Sequence, residues 1–76
     1  MILTFNVLNC HADFEWDNED EDYRREGRGY VYESVESDYA FGTFVYNPDE
    51  GLVESAGLND ELDGAITDYL DDYFYG

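Results

Sequence analysis

A chain of 76 residues has room for one domain, and its 20 Asp plus Glu against three Arg and no Lys leave a formal net charge of −17. Eight Tyr, five Phe and one Trp argue against intrinsic disorder, because acidic disordered chains lack rings that bury area. The lone Cys10 excludes an intramolecular disulfide, and no apolar run approaches the roughly 20 residues of a membrane span.

Residues 1–10 read as a strand in which Leu3, Phe5 and Val7 alternate with Thr4 and Asn6. Ile2 and Leu8 fall on the other face, so burial on both sides is expected. Asn9 to Ala12 reads as a turn. Asp13-Phe14-Glu15-Trp16-Asp17 alternates acid and ring with period two, a short strand with Phe14 and Trp16 inward.

The densest acidic run follows: Asp17, Glu19, Asp20, Glu21 and Asp22, interrupted only by Asn18. Arg24, Arg25 and Arg28 come next. Residues 17–28 fit either a short helix capped by Asp17 or Asn18 and stopped by Gly27, with a Glu21–Arg25 surface pair, or an acidic loop. Tyr30 to Glu36 and Tyr39 to Tyr46 are β-rich, with Ser37-Asp38 as a tight hairpin connection. Asn47-Pro48-Asp49-Glu50-Gly51 is a turn, Leu52 to Ala56 a further short strand, and Gly57 a break.

Leu62, Ala65, Ile66, Tyr69, Leu70, Tyr73 and Phe74 follow the spacing of one helical face, predicting a helix from about Asp60 to Tyr75 with Asn59 as its N-cap. The expected fold is α+β: a small antiparallel sheet of three to four strands packed on this C-terminal helix, forming a single domain over residues 1–76.

The terminal helix departs from local stability rules. Asp63, Asp68, Asp71 and Asp72 are assigned to the face opposite the apolar stripe, and like charges at i, i+3 or i, i+4 spacing cost roughly 0.2–0.5 kcal/mol each. Asp68, Asp71 and Asp72 also oppose the helix dipole at its C-terminal end, and Gly64 adds about 1 kcal/mol. From Gly29 onward there is no Lys, Arg or His to pair with Glu33, Glu36, Asp38, Asp49, Glu50, Glu54 or the helix acids. Carboxylates left unpaired in such number point to a basic partner.

Other chemistry is poorly supplied. Cys10 and His11 are adjacent, so on a strand they point to opposite faces and make a poor dyad. Asp17, Glu19 and Glu21 match the first positions of a calcium loop, but Asp22 stands where Gly is needed and Arg28 where Glu is needed. No phosphate-cradling glycine loop occurs. The expectation is a non-enzymatic protein with no catalytic residues, no metal and no cofactor.

In size, charge and aromatic content, and in the acids from Asp17 to Asp22 and from Asp60 to Asp72, the chain resembles small phage-encoded DNA-mimic proteins, the anti-CRISPR and anti-restriction inhibitors. The resemblance implies occupation of a DNA- or RNA-binding surface on a host defence complex, with a Cas effector as first choice. Inhibition of a restriction or DNA-repair enzyme follows, and a regulatory module (antitoxin or transcription-factor antagonist) is the alternative. The partner-binding residues expected on this reading are Asp17, Glu19, Asp20, Glu21, Asp22, Glu33, Glu36, Asp38, Asp63, Asp68, Asp71 and Asp72. The partner is a basic nucleic-acid-binding protein or ribonucleoprotein. Direct nucleic-acid and membrane contact are not expected, since anionic lipid and free nucleic acid repel such a surface. The protein is expected in the host cytoplasm, as a monomer or homodimer.

Overall fold

The structure, a computed structural model, describes residues 2–16 and 26–75. Among them five strands, β1 (Ile2–Val7), β2 (Cys10–Trp16), β3 (Gly27–Tyr32), β4 (Gly42–Asn47) and β5 (Gly51–Ala56), pair antiparallel in chain order. The helix α1 (Asp60–Tyr75) then returns across one face of the sheet. The fold is α+β as expected, with five strands in place of three to four.

The β1–β2 hairpin closes through Leu8 and Asn9, both at positive φ (46° and 67°). Two such residues between Val7 and Cys10 make the turn whose twist matches that of the flanking strands. The turn is therefore at residues 8–9, not 9–12, and Cys10 to Ala12 belong to β2. Only one face of β1 is buried: Phe5 and Val7 are in the core, while Ile2 and Leu8 are exposed.

Strand β3 begins earlier than its propensity suggests. Gly27, expected to stop a helix, opens the strand and pairs with Trp16 on one side and Tyr46 on the other. The helix-or-loop alternative for residues 17–25, including the Glu21–Arg25 pair, lies outside the described residues. The β3–β4 connection spans residues 33–41 instead of a tight Ser37-Asp38 turn, because the Ser34 and Ser37 hydroxyls offer the backbone local partners.

The remaining turns follow their chemistry. Asn47 Oδ1 accepts from the Asp49 amide at 2.8 Å, and Gly51 takes φ 83° to re-enter β5. A register shift opposite Val45 and Tyr46 leaves Val53 without a cross-strand partner. Asn59 caps α1: its Oδ1 accepts from the Leu62 amide at 2.8 Å.

The core lies between α1 and one sheet face. Leu62, Ile66 and Leu70 point down onto Phe5, Ala12, Phe14, Val31, Phe44 and Tyr46. Phe14 is the hub: it stacks on Phe44 (5.9 Å between centroids) and on Trp16 (5.4 Å), and meets Tyr46 and Phe74 edge-on. Ring pairs of this kind contribute about 0.5–1.5 kcal/mol each beyond the area they bury.

Gly64 is the one interior helix position where stability is given up for no packing reason. A Cβ there would meet nothing within 4 Å. Gly64→Ala is expected to raise the unfolding free energy by about 1 kcal/mol, read as a higher urea midpoint at unchanged slope.

Candidate functional site

Charge is distributed unequally over the two sides of the sheet. Alternation along the strands puts His11, Asp13, Glu15, Arg28 and Glu54 on the face that α1 does not cover. There His11 Nε2 lies 3.2 Å from an Asp13 oxygen, and Arg28 is directly opposite Glu15 in the ladder. This face carries both the histidine and the described arginine. Arg24 and Arg25 lie outside the described residues.

Among the described residues the helix side has no such compensation. Asp60, Glu61, Asp63, Asp68, Asp71 and Asp72 are all on α1, whose last turn contains no basic residue. At 100° per residue Glu61, Asp68 and Asp72 share one stripe, pointing away from the sheet, and all three are exposed. Asp68 and Asp72 are roughly 6 Å apart along the axis, and Glu61 roughly 10 Å further on. Tyr69 stacks flat on Phe5 of β1 (4.2 Å, 7°), which fixes the helix rotation and tips the stripe toward the β1 side.

Asp63 and Asp71 are not part of that stripe. Both are half-buried on the opposite flank, tied to the sheet by hydroxyl donors. Tyr46 Oη donates to Asp71 Oδ1 at 2.6 Å, and Ser55 Oγ donates to Asp63 Oδ2 at 3.1 Å. Burial, then the hydrogen bond to Asp71 and its charge, push the Tyr46 phenol well above its ordinary pKa, so it stays a donor. The other Asp63 oxygen is buried without a partner. These two aspartates fasten the helix, and their assignment to the outward face is corrected by those contacts. The sequence signal was present for one of them: Tyr46 is a hydroxyl residue on an inward strand position, where a buried hydroxyl needs an acceptor.

Glu33, Glu36 and Asp38 are exposed on the β3–β4 connection, at the sheet end from which α1 starts. The connection is held in shape: Ser34 N donates to Ser37 Oγ (3.2 Å), Ser37 N to Ser34 O (3.1 Å) and Phe41 N to Val31 O (2.8 Å). Beside the acids stand two side chains from the runs expected to be strands, Val35 (75% exposed) and Tyr39 (87%). An exposed Tyr ring on a hydrogen-bonded loop is suited to anchor a protein contact, with the valine widening the apolar area beside it. Asp17, Glu19, Asp20, Glu21 and Asp22 lie outside the described residues. At the other sheet end Tyr75 Oη donates to the Pro48 carbonyl, joining the helix terminus to the turn that carries Asp49 and Glu50.

Chemistry other than charge presentation is thinly represented. Cys10 packs against the core while His11 faces the open side, so the two do not meet. Among the described residues no three His, Cys, Asp or Glu side chains converge as a metal site requires, and no helix is long and apolar enough to cross a membrane. Comparison with protein-family models, with curated proteins and with solved structures yields no match.

Proposed function

We propose that this protein is a nucleic-acid mimic that inhibits a basic DNA- or RNA-binding protein by occupying its binding groove. The observation that carries this reading is the uncompensated helix side: six acids on α1 and no described cation on that side of the sheet. The stripe Glu61–Asp68–Asp72 presents carboxylates on a rigid scaffold, where the guanidinium and ammonium groups of a phosphate-binding groove find acceptors of the charge they are built for. Glu33, Glu36 and Asp38 extend the acidic surface beyond the helix N-terminus, and Val35 and Tyr39 supply apolar anchors there. Helix acids that repel one another and oppose the dipole reduce the stability of the isolated protein, an arrangement that a basic partner would relieve.

Within this class a phage-encoded anti-CRISPR protein acting on a Cas effector in the host cytoplasm is the particular reading, ahead of an inhibitor of restriction or DNA-repair enzymes. No enzymatic step, metal or cofactor is involved. The test is capture of host nucleic-acid-binding proteins on the immobilised chain at 50 mM salt, followed by competition with duplex DNA and a salt titration. The captured partner is expected to be displaced by DNA and to lose at least about tenfold in affinity between 50 and 300 mM salt. A complex indifferent to both DNA and salt overturns mimicry. It would favour instead a regulatory binding module, an antitoxin or transcription-factor antagonist, docking through Val35 and Tyr39.

A further inference from the structure

The two edges of the sheet are treated differently. Strand β5 carries the charge of Glu54 and the extra residue Val53, both devices that discourage another strand from pairing with an edge. Strand β1, the other edge, has neither. Its sequence Ile-Leu-Thr-Phe-Asn-Val contains no charge, no proline and no register shift, in a chain where 30% of residues are charged. The first ten residues carry none of the acids, and Ile2 is 65% exposed.

The hairpin geometry determines which backbone groups this edge offers. The two-residue turn makes Val7 and Cys10 an exchanging hydrogen-bonded pair, so Phe5–Ala12 and Leu3–Phe14 are the next such pairs. The N–H and C=O groups of Ile2, Thr4 and Asn6 therefore point outward, away from β2. That set is self-complementary about Thr4. An antiparallel copy places Thr4 opposite Thr4 and Ile2 opposite Asn6 on the open face, and Leu3 opposite Phe5 on the face that carries the core.

We propose that β1 is a homodimer interface: two copies join β1 to β1 antiparallel, with Thr4 on the two-fold axis, into one continuous sheet. A second copy is the occupant because the register is symmetric and the edge is neutral, so no charge is desolvated. Asp13, the nearest acid across the ladder from Thr4, would be three strand spacings from its copy, roughly 14 Å. That exceeds the screening length of roughly 8 Å at physiological ionic strength.

Edge-to-edge antiparallel pairing puts both helices on the same side of the joined sheet. The acidic stripes of both helices then lie on the same side of the joined sheet. Each copy carries a net charge of −17, which is least screened at low ionic strength, so the dimer has a signature opposite to partner capture: self-association strengthens as salt rises. The inference does not depend on mimicry, since it is read from the protein alone.

Sedimentation equilibrium at 50 and 500 mM sodium chloride tests it. The wild-type chain is expected to show a dimer whose association constant increases with salt. Thr4→Pro removes an amide that β2 does not use, so it should be monomeric at both salts while melting within roughly 5 °C of the wild type. Thr4→Asp and Thr4→Lys each put like charges on the axis and should each weaken the dimer at least about tenfold. A wild-type chain that stays monomeric at 500 mM salt overturns the proposal. So does a dimer that persists in the folded Thr4→Lys and Thr4→Asp proteins, or one that Lys strengthens and Asp weakens, which would mark bulk charge as the cause. Partner capture by monomeric Thr4→Pro tests mimicry separately.

Discussion

Gly29→Ala is expected to cost about 3 kcal/mol or more, a large share of the roughly 4–11 kcal/mol that holds a chain of this length folded. Gly29 stands between Phe14 and Phe44 in the same cross-strand row. With no side chain of its own, it leaves room for the Phe44 ring to lie over its backbone and stack on Phe14 at 7°. A Cβ at that position would lie 1.9 Å from one Phe44 ring carbon and 2.2 and 2.4 Å from two others. Phe44 is 1% exposed and Phe14 fully buried, so neither ring has solvent to move into. The hub of the core must separate, and the ring stacking goes with it. Urea titration followed by near-ultraviolet circular dichroism reads both effects. Gly64→Ala, the same substitution with open space around it, is the internal control with the opposite sign. A loss below about 1 kcal/mol at Gly29 means the sheet relaxes around the methyl group, and the account of the core is wrong.

That same glycine explains why the sheet was only partly legible. Helix α1 could be placed from sequence because its apolar residues keep helical spacing over four turns and Asn59 supplies a cap. The Asn47–Gly51 turn could be placed because proline and glycine fix its dihedrals. Gly27 read as a helix stop and the β-rich run as starting only at Tyr30, since glycine has weak strand propensity and no side chain to pack. Residues 27–29 are strand because Phe14 and Phe44 come from β2 and β4 to fill the space that Gly27 and Gly29 leave. That information is tertiary, and nothing local to residues 27–29 carries it. The site divides in the same way. Helical periodicity predicted that Asp68 and Asp72 would be exposed on one side. It also assigned Asp63 and Asp71 outward, because a helical wheel marks where a residue points but not how far Tyr46 and Ser55 reach from the sheet.

Asp68→Asn/Asp72→Asn is the second large effect, and its two readouts should move in opposite directions. Removing the i, i+4 repulsion returns roughly 0.2–0.5 kcal/mol. Relieving the dipole at Asp72, in the last turn, returns about 0.3–1 kcal/mol more. Neither side chain holds a hydrogen bond or ion pair among the described residues, so nothing structural is lost, and the isolated protein should unfold at the same urea concentration or a higher one. Affinity for the basic partner should fall at least about tenfold and the salt dependence should flatten, because each charge-assisted contact to Arg or Lys is stronger than the neutral bond that replaces it. Asp71→Asn separates fastening from presentation. It replaces the charged acceptor of the Tyr46 hydroxyl, so it should lower stability while changing affinity less than the double variant does. If the double variant binds as tightly as the wild type, the α1 stripe is not the surface the partner reads. The acids of the β3–β4 connection, Glu33, Glu36 and Asp38, would then be the next set to neutralise. They stand on a loop held by Ser34 and Ser37, whose hydrogen bonds those substitutions leave in place.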